Sequence, residues 1–529
     1  MRIRIFLGVC NFMHDLACWR DRSSAPMLKL GTLLSLTMLA GCSAVGPDFV
    51  APAAPGISSY TAQKLPKQTM ATPGTKQGVA QTYKQETLER GTWWQSFNAP
   101  KLNNLIEQGL KASPTLAAAK AKLEQARQAY AAQSGSTELP QVNGNLGGQR
   151  KKNNNASIGQ DGNENIYNFY NAGVTVSYNL DLFGGNRRTL ESMAAQVDYQ
   201  KYQLDAARLT LAGNIAVQAI VQASLNDQIA TTRDIIKNQE NQLKLVQARL
   251  NLGAATQSDV LTLQSQLDQT RATLPPLILK RDQANHLLAT LIGESPSAFV
   301  PQFTLDDFSL PSELPVIVPS QWVAIRPDIQ ASTALLHQAS AEYGVAIANL
   351  YPQINLSANL GSQGLTPARL FDANSVIWSL IAGLTQPVFN AGLEAGAKSA
   401  KAALAAAAAN YQQTVLVGLR DTADALRATT IDADTLNAQT AAEHSALASL
   451  DLTEQQMKLG AVNALQLLTA QQQVALARLQ TLSARSQRLS DTVTLFQAMG
   501  GGVPVTHQNQ PQPETLSQNQ TATPEKITP

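Results

Sequence analysis

Residues 166–180 read IYNFYNAGVTVSYNL. On an extended chain Ile166, Tyr170, Ala172, Val174, Val176, Tyr178 and Leu180 fall on one side. Phe169, Asn171, Gly173, Thr175, Ser177, Asn179 and Asp181 fall on the other. Successive side chains of a strand point to opposite faces, so the stretch predicts a strand with one apolar and one polar face. Two more segments alternate in the same way. Ile354, Leu356, Ala358 and Leu360 oppose Gln353, Asn355, Ser357 and Asn359, while Val376, Trp378, Leu380, Ala382 and Leu384 share one face. A weaker, Gly-rich candidate runs from Gln141 to Gln149.

Such strands fit either a soluble sheet covering a core or a membrane barrel with its apolar side to lipid. No second sheet or amphipathic cover of matching size is evident, which favours the barrel. Strands of roughly 9 to 11 residues suffice to cross when tilted. Open sheet edges cannot exist in lipid, and known barrels begin at about 8 strands. Four strands per chain therefore demand several copies: two copies would give eight strands and three would give twelve. The strand pattern alone does not choose. The polar stretches Arg150–Asn165 and Ser362–Asn374 read as an extracellular rim, with the helices on the opposite, periplasmic side.

The rest of the chain is written twice. Leu139-Pro140-Gln141-Val142-Asn143 recurs as Tyr351-Pro352-Gln353-Ile354-Asn355, and Phe183-Gly184-Gly185 is answered by Phe389-Asn390-Ala391-Gly392. Leu252-Gly253-Ala254 is answered by Leu459-Gly460-Ala461. The Phe-to-Gly spacings are 70 and 71 residues. Each half predicts a helix opened by proline (114–137; 327–350), two strands, a helix of more than 60 residues (187–250; 393–458), a Gly turn and a last helix (256–292; 463–499). Proline suits a helix start, and Gly253 and Gly460 suit left-handed C-caps. A helix of ~64 residues is ~95 Å long at 1.5 Å per residue. The short helices of each half, stacked end to end, match that length, which predicts long helices packed beside stacked pairs. Ile215, Ile220, Ile229, Ile236, Leu243 and Leu250 recur at near-heptad intervals. The alanine run Ala402, Ala403 and Ala405 to Ala409 permits close helix approach, and Pro275-Pro276 predicts a kink.

At the N-terminus, Leu30 to Ala40 is too short to span a bilayer and reads as the apolar core of a signal peptide. Leu39-Ala40-Gly41-Cys42 matches a lipobox, so Cys42 is the expected lipidated first residue of the mature chain, and Met27 is the expected start. Ser43 favours sorting to the outer membrane of a Gram-negative cell. Removing residues 1–41 leaves 35 basic and 36 acidic groups and no cysteine but Cys42. No disulfide framework is then possible. Each buried acyl methylene contributes ~0.8 kcal/mol to anchoring.

Composition excludes further classes. With 40 Lys+Arg against 38 Asp+Glu there is no basic footprint for nucleic acid. No phosphate-binding loop ending in Lys-Ser or Lys-Thr is present, so the chain does not power transport. His14, His286, His337, His444 and His507 show no metal spacing. No cofactor and no catalytic group are expected, and the chain does not read as an enzyme. Asp421 and Asp424 read as solvated or salt-bridged. Much of Ala51 to Gln81 reads as a disordered tether, and the tail after Gly502 as disordered.

Taken in order, Cys42 with Val45-Gly46-Pro47-Asp48-Phe49, Trp93-Trp94 with Phe97, Leu102, Leu105 and Ile106, Leu180-Asp181-Leu182-Phe183-Gly184, Arg326-Pro327-Asp328-Ile329 and Tyr351-Pro352 closely resemble the TolC-like outer-membrane efflux channels, in their lipoprotein branch. The match runs from Cys42 to about Gly502. The resemblance implies a mainly α fold with a membrane β-barrel portion: a homotrimer whose four strands per protomer build a 12-stranded barrel continuous with a helical tunnel. It implies a periplasmic adaptor, an inner-membrane pump reached through it, and a tunnel closed at its periplasmic tip. It also implies a belt from segments near 82–112, 294–325 and after Gly500. Asp259 matches an acidic position of the closed tip, although Thr256-x-x-Asp259 also reads as a capping box. Gln466 and Thr469 stand where some members carry acidic gate residues, which leaves closure there to hydrogen bonds and packing. Leu252, Gly253, Leu459 and Gly460 match the adaptor-facing turns. Arg249 and Lys458, one turn above, are candidate adaptor contacts or ordinary cations near helix C-termini, worth ~0.3–1 kcal/mol.

The expected division is a signal peptide (1–41), a lipid-anchored linker (42–81), a first repeat (82–293), an equatorial linker (294–325), a second repeat (326–500) and a tail (501–529). The expected function is a passive exit duct for drugs or other toxic small molecules. A duct for type I protein secretion and a lipid-anchored coiled-coil scaffold without a pore are the alternatives.

Overall fold

The computed structural model of the chain describes residues 44–84, 91–154 and 164–501. The signal peptide, Cys42 and the tail after Gly501 lie outside the described residues. The main elements are α1 (Pro100–Ala112), α2 (Pro114–Thr137), β2 (Gln141–Asn154), β3 (Glu164–Leu180), α3 (Gly185–Asn251) and α4 (Gln257–Leu291). They are followed by α5 (Pro319–Trp322), α6 (Pro327–Ala348), β5 (Gln353–Gly364), β6 (Val376–Thr385), α7 (Ala391–Lys458) and α8 (Ala464–Ala498). Two three-residue strands, β1 (Thr82–Lys84) and β4 (Glu313–Pro315), pair in parallel. The order helix, strand, strand, long helix, helix thus occurs twice, and the predicted helix ends fall within two residues of those observed.

By compactness the chain divides into two units. The first holds the four long strands with residues 44–50 and the adjoining helix ends. Its sheet runs β2-β3-β5-β6, antiparallel throughout. β2 continues through Lys151 and Lys152 to Asn154, five residues beyond the predicted strand. These residues are poor strand formers alone; pairing with β3 carries them.

The second unit holds 51–127, 196–335 and 407–501 and most of the apolar core. Trp93, Trp94, Phe97, Leu102, Leu105 and Ile106 are all buried, with Trp93 stacked on Phe496 at 5.5 Å. Ile215, Ile220, Ile229 and Leu243 are buried too, so the near-heptad pattern is a packing seam. The expected end-to-end stacking is visible at both junctions. A Cβ on Gly293, just past α4, would lie 2.5 Å from the carbonyl oxygen of Ala112, just before α2. At the second junction the Trp322 indole and the Arg326 guanidinium donate to the Ala498 carbonyl at 2.9 and 3.2 Å, closing the end of α8 just before α6 begins. Asp421 pairs with Arg420.

α4 runs unbroken through Pro275 and Pro276. Each proline removes one helical hydrogen bond, and neighbouring contacts such as Arg271 to Glu240 of α3 at 2.7 Å hold the segment. The alanine run of α7 is mostly exposed on the single chain. Residues 51–81 are not a loose tether. Thr69, Thr72, Gln77 and Gln81 are buried, and the Tyr60 hydroxyl donates to the Ile317 carbonyl at 2.7 Å. Their polar composition hides this packing, because they bury hydrogen-bonding groups rather than apolar ones.

The partner of this strap is Arg488 on α8. Wholly buried, it donates to the carbonyls of Gln77 and Val79 at 2.9 Å each and to the Thr69 hydroxyl at 3.0 Å. Burial lowers its pKa to about 10, so it stays charged at neutral pH. Asp432 of α7 lies beside Asp491 of α8. Burial, then the hydrogen bond and charge of Asp491, push Asp432 up from 3.8 to about 8 against the pull of Arg488. The folded chain therefore keeps a proton here that the unfolded chain releases above about pH 4, so this group's contribution to stability falls as pH climbs from about 4 to about 8. Asp432→Asn removes that slope. Thermal unfolding of the detergent-extracted protein should show it stabilised more at pH 8.5 than at pH 5; an equal gain at both would refute the assignment.

Candidate functional site

The four-stranded sheet presents the clearest two-sided surface of the chain. Its register decides which faces agree. Val174 lies opposite Leu360 and Gly144, Val176 opposite Ala358 and Val142, and Leu180 opposite Ile354. Leu360 is opposite Trp378, and Leu356 opposite Ala382. All even-numbered apolar residues therefore share one face across four strands. Most of it is bare on the single chain: Leu146 is 82 %, Trp378 77 % and Leu380 76 % exposed. The other face aligns Asn143 with Thr175 and Asn359, Ser177 with Ser357, Asn179 with Asn355, and Asn359 with Ser379. Ile377 and Ile381 interrupt it on β6. Among the described residues, the outer edges of β2 and β6 have no partner strand.

At the base of the sheet, the arm formed by residues 44–50 is pinned. The Val45 N–H donates to the Phe183 carbonyl at 3.0 Å. Gly46 takes φ +92°, and a Cβ there would come within 2.7 Å of the Gly344 Cα on α6, so this crossing requires glycine. Arg188, 4 % exposed, donates to Asp48 at 2.6 Å and Glu191 at 2.7 Å, and to the carbonyls of Val45 and Gly46. Burial works against its charge, but Glu191 and Asp48 outweigh that and raise its pKa. Phe49 stacks on His337 at 4.3 Å, and His337 Nε2 meets Glu191 at 2.9 Å. In the sequence the only signal of Arg188, the partner of this arm, is a cation at the start of a long helix.

The tips, in the second unit, are built alike. Gly253 and Gly460 both have φ +75°. The N–H of Ala254 reaches the Arg249 carbonyl at 2.8 Å, and that of Ala461 reaches Gln456 at 2.9 Å, so both turns close as left-handed caps. Leu252 and Leu459 are each 84 % exposed. Arg249 is half-buried and Lys458 exposed. Asp259 accepts from the Thr256 N–H at 2.9 Å and the Thr256 hydroxyl at 2.8 Å, and the Asp259 N–H returns to that hydroxyl. These bonds hold its carboxyl below the usual range. Asn463 and Gln466 form a second capping box at the matching place, with bonds of 3.1 and 3.0 Å. Sequence reading missed it, although the spacing repeats that of Thr256 and Asp259. Thr469 donates to the Leu465 carbonyl at 2.9 Å. Between the first turns of α4 and α8 lies a groove of about 640 Å³ lined by Leu261, Ser265, Leu465, Leu468, Thr469 and Gln472 among others. Among the described residues no cluster of His, Cys, Asp or Glu is arranged to hold a metal.

A sheet with one bare apolar face and one hydrophilic face, joined to very long helices, fits a membrane channel. Comparison with known proteins agrees. The model of the outer membrane efflux protein family matches residues 105–294 and 318–501. The pyoverdine export outer membrane protein OpmQ of Pseudomonas putida is 31% identical over 427 residues, covering 79% of this chain and 90% of that protein. The probable outer membrane lipoprotein SilC of Salmonella typhimurium is 26% identical, covering 90% of this chain and 99% of that protein. The solved outer-membrane channel OprN superposes with a TM-score of 0.78 at 26% identity, covering 86% of this chain and 99% of that one. The chain belongs to the outer membrane efflux protein family. It is an outer-membrane channel for efflux, and the family is one of channels, not an enzyme class.

Proposed function

We propose that three copies close their four-stranded sheets into one twelve-stranded barrel, and that the helices continue its lumen into the periplasm as the exit duct of a tripartite pump. The carrying observation is the bare apolar face bounded by two unpaired edges: in lipid those edges must be closed. Cys42 bears the acyl anchor after removal of 1–41, leaving 42–81 as the linker, the two repeats as the body and 501–529 as the tail. The lipoprotein name of SilC supports that anchor. The cargo is a small molecule, a reading supported by the pyoverdine named for OpmQ. The exposed turns at Leu252-Gly253 and Leu459-Gly460, with Arg249 and Lys458, meet a periplasmic adaptor that links to the inner-membrane pump. Asp259, Gln466 and Thr469 line the gate, and Asp259 and Gln466 also cap their helices. In planar bilayers the purified protein should give discrete single-channel steps. A scaffold without a pore would give none, and that result would defeat the proposal.

A further inference from the structure

The two repeats meet inside the chain at the junction of β3 and β5, and the same junction must recur where β6 runs out. Phe183, just past β3, stacks on Tyr351, just before β5, with ring centroids 4.9 Å apart and planes at 24°. By the internal repeat, Phe389 answers Phe183 and Leu139 answers Tyr351. Both counterparts lack this contact on the single chain: Phe389 is 92 % and Leu139 63 % exposed.

We infer that the edge of β6 pairs antiparallel with β2 of the next copy in one register, Gln386 opposite Val142 and Leu384 opposite Gly144, and that Phe389 packs onto Leu139 of the next copy as its lock. The partner is a second copy of this chain, and the inference rests on the ring reading above. The register is carried over from the observed pairing of Leu180 with Ile354, using the offsets of 206 residues between Phe183 and Phe389 and 212 between Gln141 and Gln353.

Two independent features agree with it. Even residues meet even residues, so the apolar sides of the two sheets fall on the same side of the new junction, with Trp378 and Val376 brought opposite Arg150 and Lys152 at its far end. Large side chains also meet small ones: Leu384 faces Gly144, Leu380 faces Gly148, Leu146 faces Ala382, and Ile381 faces Gly147 on the other face. A slip of two residues one way sets Leu380 against Leu146. A slip the other way sets Leu384 against Leu146. Space is available beside Gly144, where a Cβ would meet nothing within 4 Å. The two hairpins within the chain do differ by an even slip, Gln141 pairing with Ser177 but Gln353 with Thr385. Each hairpin is set by its own loop, whereas the junction between repeats has no loop and is set by the contact at its base.

The test uses full-length protein in outer membranes, oxidised without a spacer. Leu384→Cys with Gly144→Cys is compared with Leu384→Cys paired with Val142→Cys or with Leu146→Cys. Opposed strand residues have Cα atoms about 4.5–5.5 Å apart, within disulfide reach, and residues two positions off are beyond about 7 Å. The first pair should give reducible covalent dimers and trimers in roughly tenfold excess over either offset pair. Native mass spectrometry of the uncrosslinked protein separates the two layers of the argument. Trimers in which an offset pair crosslinks best, or in which no pair crosslinks, overturn the register and leave the ring standing; monomers overturn both. Phe389→Ala should in addition lower the fraction of trimer surviving mild detergent, and an unchanged fraction counts against the lock.

Discussion

Val174→Arg should abolish insertion into the outer membrane, and Thr175→Arg, one residue away, should leave it intact. Val174 sits near the middle of β3, half bare, with Leu360 and Gly144 opposite it on the apolar face. An arginine at the bilayer midplane costs about 2–4 kcal/mol. At about 1.4 kcal/mol per factor of ten, that is tens to several hundredfold in the insertion equilibrium, imposed on every copy of a ring. Thr175 points to the other face, between Asn143 and Asn359. There the new cation enters the wet lumen, so conductance should fall and selectivity shift toward anions. Membrane fractionation and bilayer recording read both arms. Equal insertion of the two variants would show that the bare face does not meet lipid, and the barrel reading would go with it.

Arg188→Met is expected to release the arm at residues 44–50. The guanidinium is almost wholly buried and satisfies two carboxylates and two backbone carbonyls. Removing one member of a buried ion pair costs ~3–5 kcal/mol, because the remaining charge is stranded. Glu191 is 26% exposed and can partly rehydrate, so a loss of about 3 kcal/mol is expected. Arg188→Lys should rescue little, since an ammonium cannot reproduce the planar fork. Asp48→Asn should cost at most about 1 kcal/mol, because Asp48 is 91% exposed. Limited proteolysis of the arm and denaturant unfolding measure the three variants. An arm as protected in Arg188→Met as in the parent would show that Phe49 on His337 and the Val45 bond suffice. The arm begins two residues past Cys42, so on the proposed lipidation of that residue its grip fixes where the anchor leaves the protein.

Much of this was legible before any coordinates. The two faces of residues 166–180, the Pro at each helix start and the left-handed Gly253 and Gly460 are written in short stretches of chain, and all of them hold. The capping role of Asp259 could be read as well, from four residues. The failures share a different character. Residues 51–81 lack apolar periodicity and so read as a tether, yet they are held by hydrogen bonds to Arg488, which is 411 positions from its acceptor Gln77. The extension of β2 to Asn154 was invisible because Lys151 and Lys152 have no strand preference until β3 lies beside them. Nothing local announced that Asp432 and Asp491 would lie side by side.

The amino-acid order by itself determined the periods, the caps and the doubling of the pattern, because these depend on interactions within a few residues. Which strands pair and in what register, where the arm docks and which charges are buried together were decided only by the tertiary structure. Those contacts join residues far apart in the chain, such as Arg188 and Asp48, 140 positions apart. Their energy exists only once the path of the backbone has brought them together.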